Sequence, residues 1–164
     1  MKHFVVSLDS KQLGNTIKRL NAYRDSIPTK AKMIAMRLAE LGAEKVFVGF
    51  LAVEYAGAND ISVDVQEITN GYRILAAGQS VAFIEFGAGV RFGEGYPGTK
   101  PAGIVPIGTY GKGYGSREQG WYFTDLSGGA EHTYGNPPAA VMYKTAQELR
   151  EAVLMVAREV FSGD

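Results

Sequence analysis

Residues 87–135 form a glycine-rich, aromatic-rich segment without a clear periodic element, apart from a short strand predicted at residues 121–124 with a turn at residues 126–129. They hold 14 of the 21 glycines and 8 of the 18 aromatic residues of the chain, but only eight charged residues. A connection of this length without periodicity is too long for an ordinary loop of a compact domain. Its low charge and high aromatic content are unlike those of a solvated linker. The segment is therefore predicted to be an insertion that contacts neighbouring chains.

The composition of the whole chain predicts one packed domain, residues 1–164. Hydrophobic residues make up 46% and charged residues 21%, which excludes global disorder. The 17 basic and 17 acidic residues balance, which argues against whole-chain affinity for nucleic acid and suits self-association. The chain has no cysteine, which excludes disulfides and thiolate zinc sites. No apolar run approaches the ~20 residues of a membrane span, so a protein made in the cytoplasm without membrane contact is expected.

The first third of the chain predicts two helices. Ser10 suits the N-cap of a helix that runs to about Tyr23, and Pro28 suits the first turn of a second helix that ends near Gly49. The first helix has an apolar face at helical spacing, formed by Leu13, Ile17 and Leu20. The second has a corresponding stripe, formed by Ile34, Leu38, Leu41 and Val48.

The next part of the chain predicts an antiparallel meander of three strands. Residues 61–66 alternate between apolar and polar side chains, which is typical of a half-buried strand. Asn70-Gly71 predicts a type I′ turn into a second strand at residues 72–76. The apolar run at residues 81–86 is interpreted as the third strand. The predicted fold class is α+β: a small antiparallel sheet packed against N-terminal helices and a long C-terminal helix, with the insertion as a long loop.

The C-terminal helix has the clearest pattern in the chain. Asn136 is interpreted as its N-cap, with Pro137 and Pro138 in the first turn. An apolar stripe then repeats at spacings of three and four residues, formed by Met142, Ala146, Leu149, Val153, Val156 and Val160. This stripe predicts a helix that faces the core or a partner.

Patterns associated with catalysis are weak. Residues 93–98 match GxGxxG, but Pro97 within the match and Pro101 after it argue against the helix that a dinucleotide site needs. Residues 78–82 approach the GxSxG elbow, but the predicted meander places Ser80 between two strands, where an elbow needs a strand and a helix. Asp125, Ser127 and His132 could form a catalytic triad, but nothing in the sequence fixes their geometry. His132 with Glu131 and Asp125 could bind a metal, but His132 has no second histidine at ligand spacing. No catalytic, cofactor or metal residue is assigned, and the chain is not expected to be an enzyme.

Glu85 is the one charged residue in the apolar run at residues 81–86. A carboxylate there must be paired or must face away from the core, because unpaired burial is costly. Arg73 and Arg91 are the expected partners within the chain. An ion pair between subunits and a charge on an exposed edge of the sheet are the other two interpretations.

A series of motifs from residue 70 onward resembles the minor tail-component, or neck and tail-completion, family of long-tailed bacteriophages and prophages. The motifs are NGYRILA at residues 70–76, VAFIEFGAGV at 81–90, GWYF at 120–123, HTYG at 132–135, PPA at 137–139 and MYKTAQELR at 142–150. The end of the FIEFG motif and the start of the C-terminal helix are the most specific parts. The resemblance covers about the last hundred residues.

The resemblance implies a structural virion protein without catalytic residues. It implies a ring, sixfold or twelvefold, that joins the head connector to the tail while DNA passes through the lumen. The expected partners are further copies of the chain and the neighbouring connector and tail proteins, with non-specific proximity to DNA and no membrane. The expected localisation is the neck or tail of the virion, after synthesis in the host cytoplasm.

Aromatic and charged residues of the insertion, together with Glu85, are the candidates for the subunit interface. Aromatic anchors usually supply most of the contact energy at such surfaces. The candidate interface residues are Glu85, Arg91, Phe92, Tyr110, Tyr114, Trp121 and Tyr122.

Three other functions remain open from the sequence. A tail-terminator or another minor tail protein would share the same small α+β ring. A monomeric module that binds carbohydrate or peptide would use the same aromatic residues, and it would show a ligand-dependent shift in melting temperature. A hydrolase built on Ser80 or Ser127 with His132 is the least supported alternative.

Overall fold

The computed structural model describes residues 10–54, 60–89, 95–98, 117–124 and 127–163. Within these residues the order of elements is α1 Ser10–Leu51, β1 Ser62–Ile68, β2 Gly71–Ala77, α2 Val81–Phe86, β3 Trp121–Thr124, β4 Ala130–Thr133 and α3 Val141–Ser162. The strands pair as two antiparallel hairpins, β1 with β2 and β3 with β4. The fold class is α+β, as predicted. None of the described helices has both the length and the hydropathy needed to cross a bilayer.

The N-terminal third is one helix of 42 residues, so the prediction of two helices was wrong. Pro28 lies inside α1, where a proline typically costs about 3 kcal/mol because it removes a hydrogen bond and crowds the preceding turn. Adding residues to an existing helix costs far less than starting a new one. The second half of α1 packs against α3 and β2 and provides that existing helix. Residues 46–48 also belong to this helix.

Helices α1 and α3 pack antiparallel. Lys30 Nζ lies 3.4 Å from the Val160 carbonyl oxygen near one end of α3, and Lys45 Nζ lies 2.6 Å from Glu148 Oε2 near the other. Gly42 lets the two helices approach closely, because a Cβ there would lie within 2.7 Å of the Ile74 and Leu149 side chains. The helix pair is thus the rigid frame on which the shorter elements pack.

The first hairpin packs against α1. Ser62 pairs with Ala77 and Ile68 with Gly71, and Val63, Ile74 and Ala76 pack against the core. The hairpin was predicted correctly, but its turn was not. Thr69 and Asn70 form the turn, and neither has the positive φ that a type I′ turn requires.

Residues 81–86 form the short helix α2 and not the third strand of a meander. Periodicity alone does not separate a six-residue apolar strand from a buried helical turn. The Ile84 amide donates to the Ser80 carbonyl at 2.9 Å, and the resulting turn buries both Ile84 and Glu85. Ile84 completes the central cluster in which all three helices meet, formed with Val46, Phe50 and Val141.

Helix α3 begins at Val141, five residues after the predicted cap. Asn136 instead donates from its side chain to the Phe83 carbonyl and pairs through its backbone with Ala88. The later start also moves the buried stripe, which contains Val141, Thr145, Val156 and Val160. Of the predicted stripe, Ala146 and Val153 are exposed.

On α1 the predicted apolar stripes are also only partly buried. Val48 is exposed, and the buried apolar positions of the second half are Ala39, Val46 and Phe50. Ile34, Leu38 and Leu41 are half-buried. Leu13, Ile17 and Leu20 do share one face, and all three are exposed.

Candidate functional site at the root of the insertion

The two ends of the glycine-rich segment lie side by side. The Ala88 amide donates to the Asn136 carbonyl at 2.9 Å, and the Asn136 amide donates back to the Ala88 carbonyl at 3.0 Å. The Ala139 and Ala140 amides donate to the last carbonyls of α2, those of Ile84 and Glu85, at 2.8 and 3.1 Å. The chain therefore leaves and re-enters the domain at one place, here called the insertion root (residues 84–89 and 134–140).

Gly135 permits the crossing of the two chain segments in the root. It has a φ of 96°, and a Cβ at this position would overlap the carbonyl oxygen of Ala88. Ala140, at the end of the same stretch, has the left-handed backbone conformation without being glycine, with φ 53° and ψ 43°. A left-handed alanine is strained, and the backbone bond to Glu85 holds it there. The root is thus a fixed and closely packed crossing.

Glu85 lies at the centre of this region and is 3% exposed. Its Oε2 accepts the Met142 amide at 2.8 Å. Its Oε1 accepts the Tyr143 amide at 3.2 Å and the Tyr96 hydroxyl at 3.1 Å. Three donors from two segments therefore converge on one buried carboxylate.

The carboxylate acts as the N-terminal cap of α3. The first turn of α3 has no acidic residue, and its N-cap residue makes no side-chain hydrogen bond. The first amides of a helix lack partners within the helix and carry partial positive charge, so an anion stabilises them. Glu85 supplies that anion from α2, which ties the start of α3 to the entrance of the insertion.

Tyr96 anchors the first described part of the insertion to the same place. Its ring packs edge-on against Phe86 and Tyr143, with centroids 4.9 and 6.0 Å away. Burial, and secondarily the charge of Glu85, raises the pKa of Tyr96 to about 12, so the phenol keeps its proton and donates to the carboxylate. Residues 95–98, the described part of the GxGxxG match, form no helix. The role of these four residues is to anchor the insertion at the root.

Glu85 does not pair with Arg73, one of the two partners expected from the sequence. Arg73 is exposed on β2, and the groups that bind the carboxylate are two backbone amides and a phenol. Arg91 lies outside the described residues. The three donors satisfy the carboxylate within its own chain, which disfavours both the ion pair between subunits and the exposed edge charge.

The second hairpin presents aromatic rings at the other side of the root. Tyr122 is 72% exposed and lies 4.9 Å from the His132 ring, which in turn lies 4.8 Å from the Tyr134 ring. His132 Nε2 is also 3.0 Å from the Gln119 carbonyl oxygen. Trp121 is half-buried on the opposite face of the same strand. Strand β3 confirms the strand predicted at residues 121–124, and its open aromatic face is suited to a partner.

The hydrolase interpretation was given little weight because of a predicted topology that proved wrong. Ser80 follows β2 and precedes α2, so the chain does run strand, turn, helix. The backbone of Ser80 is nevertheless unstrained, with φ −98° and ψ −8°, and the residue is buried. A nucleophile elbow needs a sharp strained turn that exposes the hydroxyl. Ser80 is therefore a structural residue at the start of α2.

Ser127 and His132, two of the other catalytic candidates, both belong to the second hairpin. Ser127 lies in the turn of the second hairpin, whereas His132 is paired with Tyr122 nearer its other end. Asp125 lies outside the described residues. Within the described ranges no three His, Cys, Asp or Glu residues group as metal ligands would.

The predicted interface residues thus fall into three groups. Glu85 is buried in the root, and Trp121 and Tyr122 are on the second hairpin. Four lie outside the described residues: Arg91, Phe92, Tyr110 and Tyr114. The residues missed by sequence reasoning are Tyr96, which no periodic pattern marks, and Lys30, a buried lysine that contacts the end of α3.

Comparison of the chain with protein-family models, with curated proteins and with solved structures gives no match. Function is therefore inferred from two sources. One is the geometry of the root, the hairpins and the helix pair. The other is the set of motifs that resembles the phage neck and tail-completion proteins.

Proposed function

We propose that the protein is a structural subunit of the phage head–tail interface, a neck or tail-completion protein. It assembles as a ring of identical copies, sixfold or twelvefold, that joins the head connector to the tail and lets DNA pass. The motifs that support this resemblance coincide with structural positions: FIEFG contributes the cap of α3 and one strand of the root, and PPA leads into α3.

The observation that carries the proposal is the amount of apolar surface left open. Among the described residues, sixteen large hydrophobic side chains are exposed, against nine buried hydrophobic residues. The exposed residues include Phe47, Val48 and Leu51 on α1, Leu154 and Met155 on α3, and Tyr122 and Tyr134 beside the second hairpin. Contiguous apolar surface on a protein marks an interaction site. A structural subunit that contacts neighbours on several sides accounts for this distribution.

The geometry gives each part of the subunit a separate role. The helix pair is rigid, and α1 alone is roughly 63 Å long at 1.5 Å per residue. The root fixes both ends of the insertion to that frame. Insertion aromatics, including Phe92, Tyr110 and Tyr114, then supply contacts to a neighbour, with Trp121 and Tyr122 beside them. In this arrangement Glu85 stabilises the subunit and is not itself an interface residue.

A monomeric module that binds carbohydrate or peptide is the second candidate, supported by the row of Tyr122, His132 and Tyr134. Exposed aromatic faces in a row suit stacking against a sugar or a planar group. This candidate predicts a stable monomer at all concentrations. The two functions therefore differ in a directly measurable quantity.

Native mass spectrometry and light scattering of the purified chain test the proposal. A ring requires a mass that is an integral multiple, six or twelve, of the 17.7 kDa chain mass. Immunogold labelling of particles should place the protein where head and tail meet. A chain that stays monomeric at every concentration and is absent from particles would exclude the structural role.

A further inference from the structure

Residues 95–98, Gly95-Tyr96-Pro97-Gly98, lie against the start of α3 and are called the strap here. Gly95 and Pro97 are exposed, and Tyr96 and Gly98 are half-buried. By contrast, residues 84, 85 and 87–89 of the insertion root are all buried. The strap therefore lies on the outside of a site whose base is closed.

Within the described part of the chain, the strap is held by one hydrogen bond and two ring contacts. The Tyr96 hydroxyl donates to Glu85 Oε1 at 3.1 Å, and the Tyr96 ring lies edge-on to those of Phe86 and Tyr143. The gain from burying the ring is offset by the backbone entropy that is lost when four residues are held in place. The hydrogen bond and the ring contacts then favour closure by about 100-fold, which leaves about 1% of molecules open.

The root keeps its own hydrogen bonds when the strap leaves. Glu85 still accepts the Met142 and Tyr143 amides at 2.8 and 3.2 Å. The two backbone bonds between Ala88 and Asn136 do not involve the strap at all. Departure of the strap opens the Glu85 carboxylate to water, which hydrates it, so no buried charge loses its partner. The rest of the root is therefore stable with the strap open.

Gly98 is the position at which the closed strap comes closest to α3. A Cβ there would lie 2.8 Å from the ring of Tyr143 and 3.0 Å from that of Tyr96. A side chain at position 98 therefore opposes the closed position and leaves the open one unaffected. Pro97 fixes its own φ and biases Tyr96 toward an extended backbone, so the strap moves as one stiff unit.

We propose that the strap opens and closes over the start of α3 while the insertion root stays folded. This opening is local: about 1% of molecules are open, whereas a domain of ordinary stability unfolds as a whole in roughly 1 molecule in 10⁴ or fewer. It uncovers Glu85 and the rings of Phe86 and Tyr143, and it releases the insertion from its attachment beyond the root. The device belongs to the single subunit and does not depend on the ring.

Native-state hydrogen exchange in low urea, followed residue by residue by NMR, tests the opening. The Met142 and Tyr143 amides, which donate to Glu85, should exchange through the open state at a rate that low urea does not change, because little surface is exposed. The Asn136 and Ala139 amides of the root should be protected at least about 100-fold more strongly and should accelerate with urea. Equal protection and equal urea dependence for all four amides would overturn the proposal, because strap and root would then open as one unit.

Two variants weaken the closed strap at different points. Tyr96→Phe removes the hydroxyl and Gly98→Ala crowds the Tyr143 ring, and each should accelerate exchange of the Met142 and Tyr143 amides by about 5-fold in low urea. Tyr122→Phe, at a 72% exposed ring on the second hairpin, is the matched control and should exchange as the wild type does. Unchanged rates in both strap variants would also overturn the proposal, because the two amides would then open without the strap.

Discussion

The two ends of α3 are stabilised by opposite charges, but the hydrogen bonds that these charges make differ in length. At the N-terminal end Glu85 accepts three hydrogen bonds of 2.8 to 3.2 Å and is buried. At the C-terminal end Lys30, also buried, donates to the Val160 carbonyl at 3.4 Å and lies 5.1 Å from the Phe161 ring. Both charges match the helix dipole, and neither belongs to α3 itself.

This difference shows which end of α3 holds more segments of the chain together. Glu85 connects α3 with α2 and, through Tyr96, with the insertion, so three segments depend on one carboxylate. Lys30 connects α1 with α3, which other contacts along the helix pair also hold together. The N-terminal end should therefore be far more sensitive to substitution than the C-terminal end.

Removing the carboxylate should have the largest effect. Glu85→Ala leaves the Met142 and Tyr143 amides without their acceptor in a buried site, and we expect a loss of about 3 kcal/mol in the free energy of unfolding. Urea unfolding followed by circular dichroism measures it. Glu85→Gln keeps the shape and one acceptor oxygen, so its loss should be smaller. Equal losses would mean that the negative charge, and not the shape of the side chain, holds this end.

Adding a methyl group within the root should have the second largest effect on stability. Gly135→Ala forces a side chain against the Ala88 carbonyl and into a left-handed backbone, with an expected loss of about 2 kcal/mol or more. Gly128→Ala is the matched control. Gly128 also has positive φ but nothing lies within 4 Å of its would-be Cβ, so only the backbone term of about 1 kcal/mol remains. Thermal melts of the two variants should differ accordingly.

The C-terminal end should respond weakly. Lys30→Met keeps the apolar stem in contact with Phe161 and removes the charge, and we expect a change of at most about 1 kcal/mol. The free energy of unfolding in urea provides the measurement. Its effect should add to that of Glu85→Ala, because the two sites share no partner. A loss as large as that of Glu85→Ala would contradict the proposed inequality of the two ends.

The smallest effect should appear at Tyr96 and depend on pH. Its pKa of about 12 in the folded chain is above the ordinary value of 10.0, so the contribution of its proton to stability is complete below pH 10. That contribution is lost as pH rises from 10 to 12. Tyr96→Phe removes it at every pH, by about 1 kcal/mol. The difference between wild type and variant in unfolding free energy should therefore shrink above pH 10.

A constant difference across that range would show that the folded chain does not raise the pKa of the Tyr96 hydroxyl. Other tyrosines and lysines also titrate at high pH, so only the difference between the two proteins is informative. Tyrosinate absorbance provides a second measurement, because one tyrosine fewer should titrate near pH 12 in the variant.

Sequence periodicity identified the long C-terminal helix, the first hairpin and the strand at residues 121–124. These elements have strong local signals: a stripe at helical spacing, and alternation in the strands. Periodicity failed at residues 81–86 and at the start of α3. There the run is short, and the geometry depends on partners that are far away in the chain.

For the candidate site, the sequence singled out Glu85 and the boundaries of the insertion but not what they do. A carboxylate in an apolar run signals that some partner exists, because unpaired burial is costly. The identity of the partner is not local information. Met142 and Tyr143 are more than fifty residues away, and their donors are backbone amides that every sequence contains.

Composition and pattern by themselves thus determined the α+β class and the anomaly of residues 87–135. These properties follow from side-chain chemistry and short-range spacing alone. Tertiary structure decided that Pro28 lies inside one continuous helix, that residues 81–86 turn helical and that Glu85 caps α3. Each of these depends on long-range packing and on hydrogen bonds that overcome a weak local preference, and such terms exist only when the chain is folded.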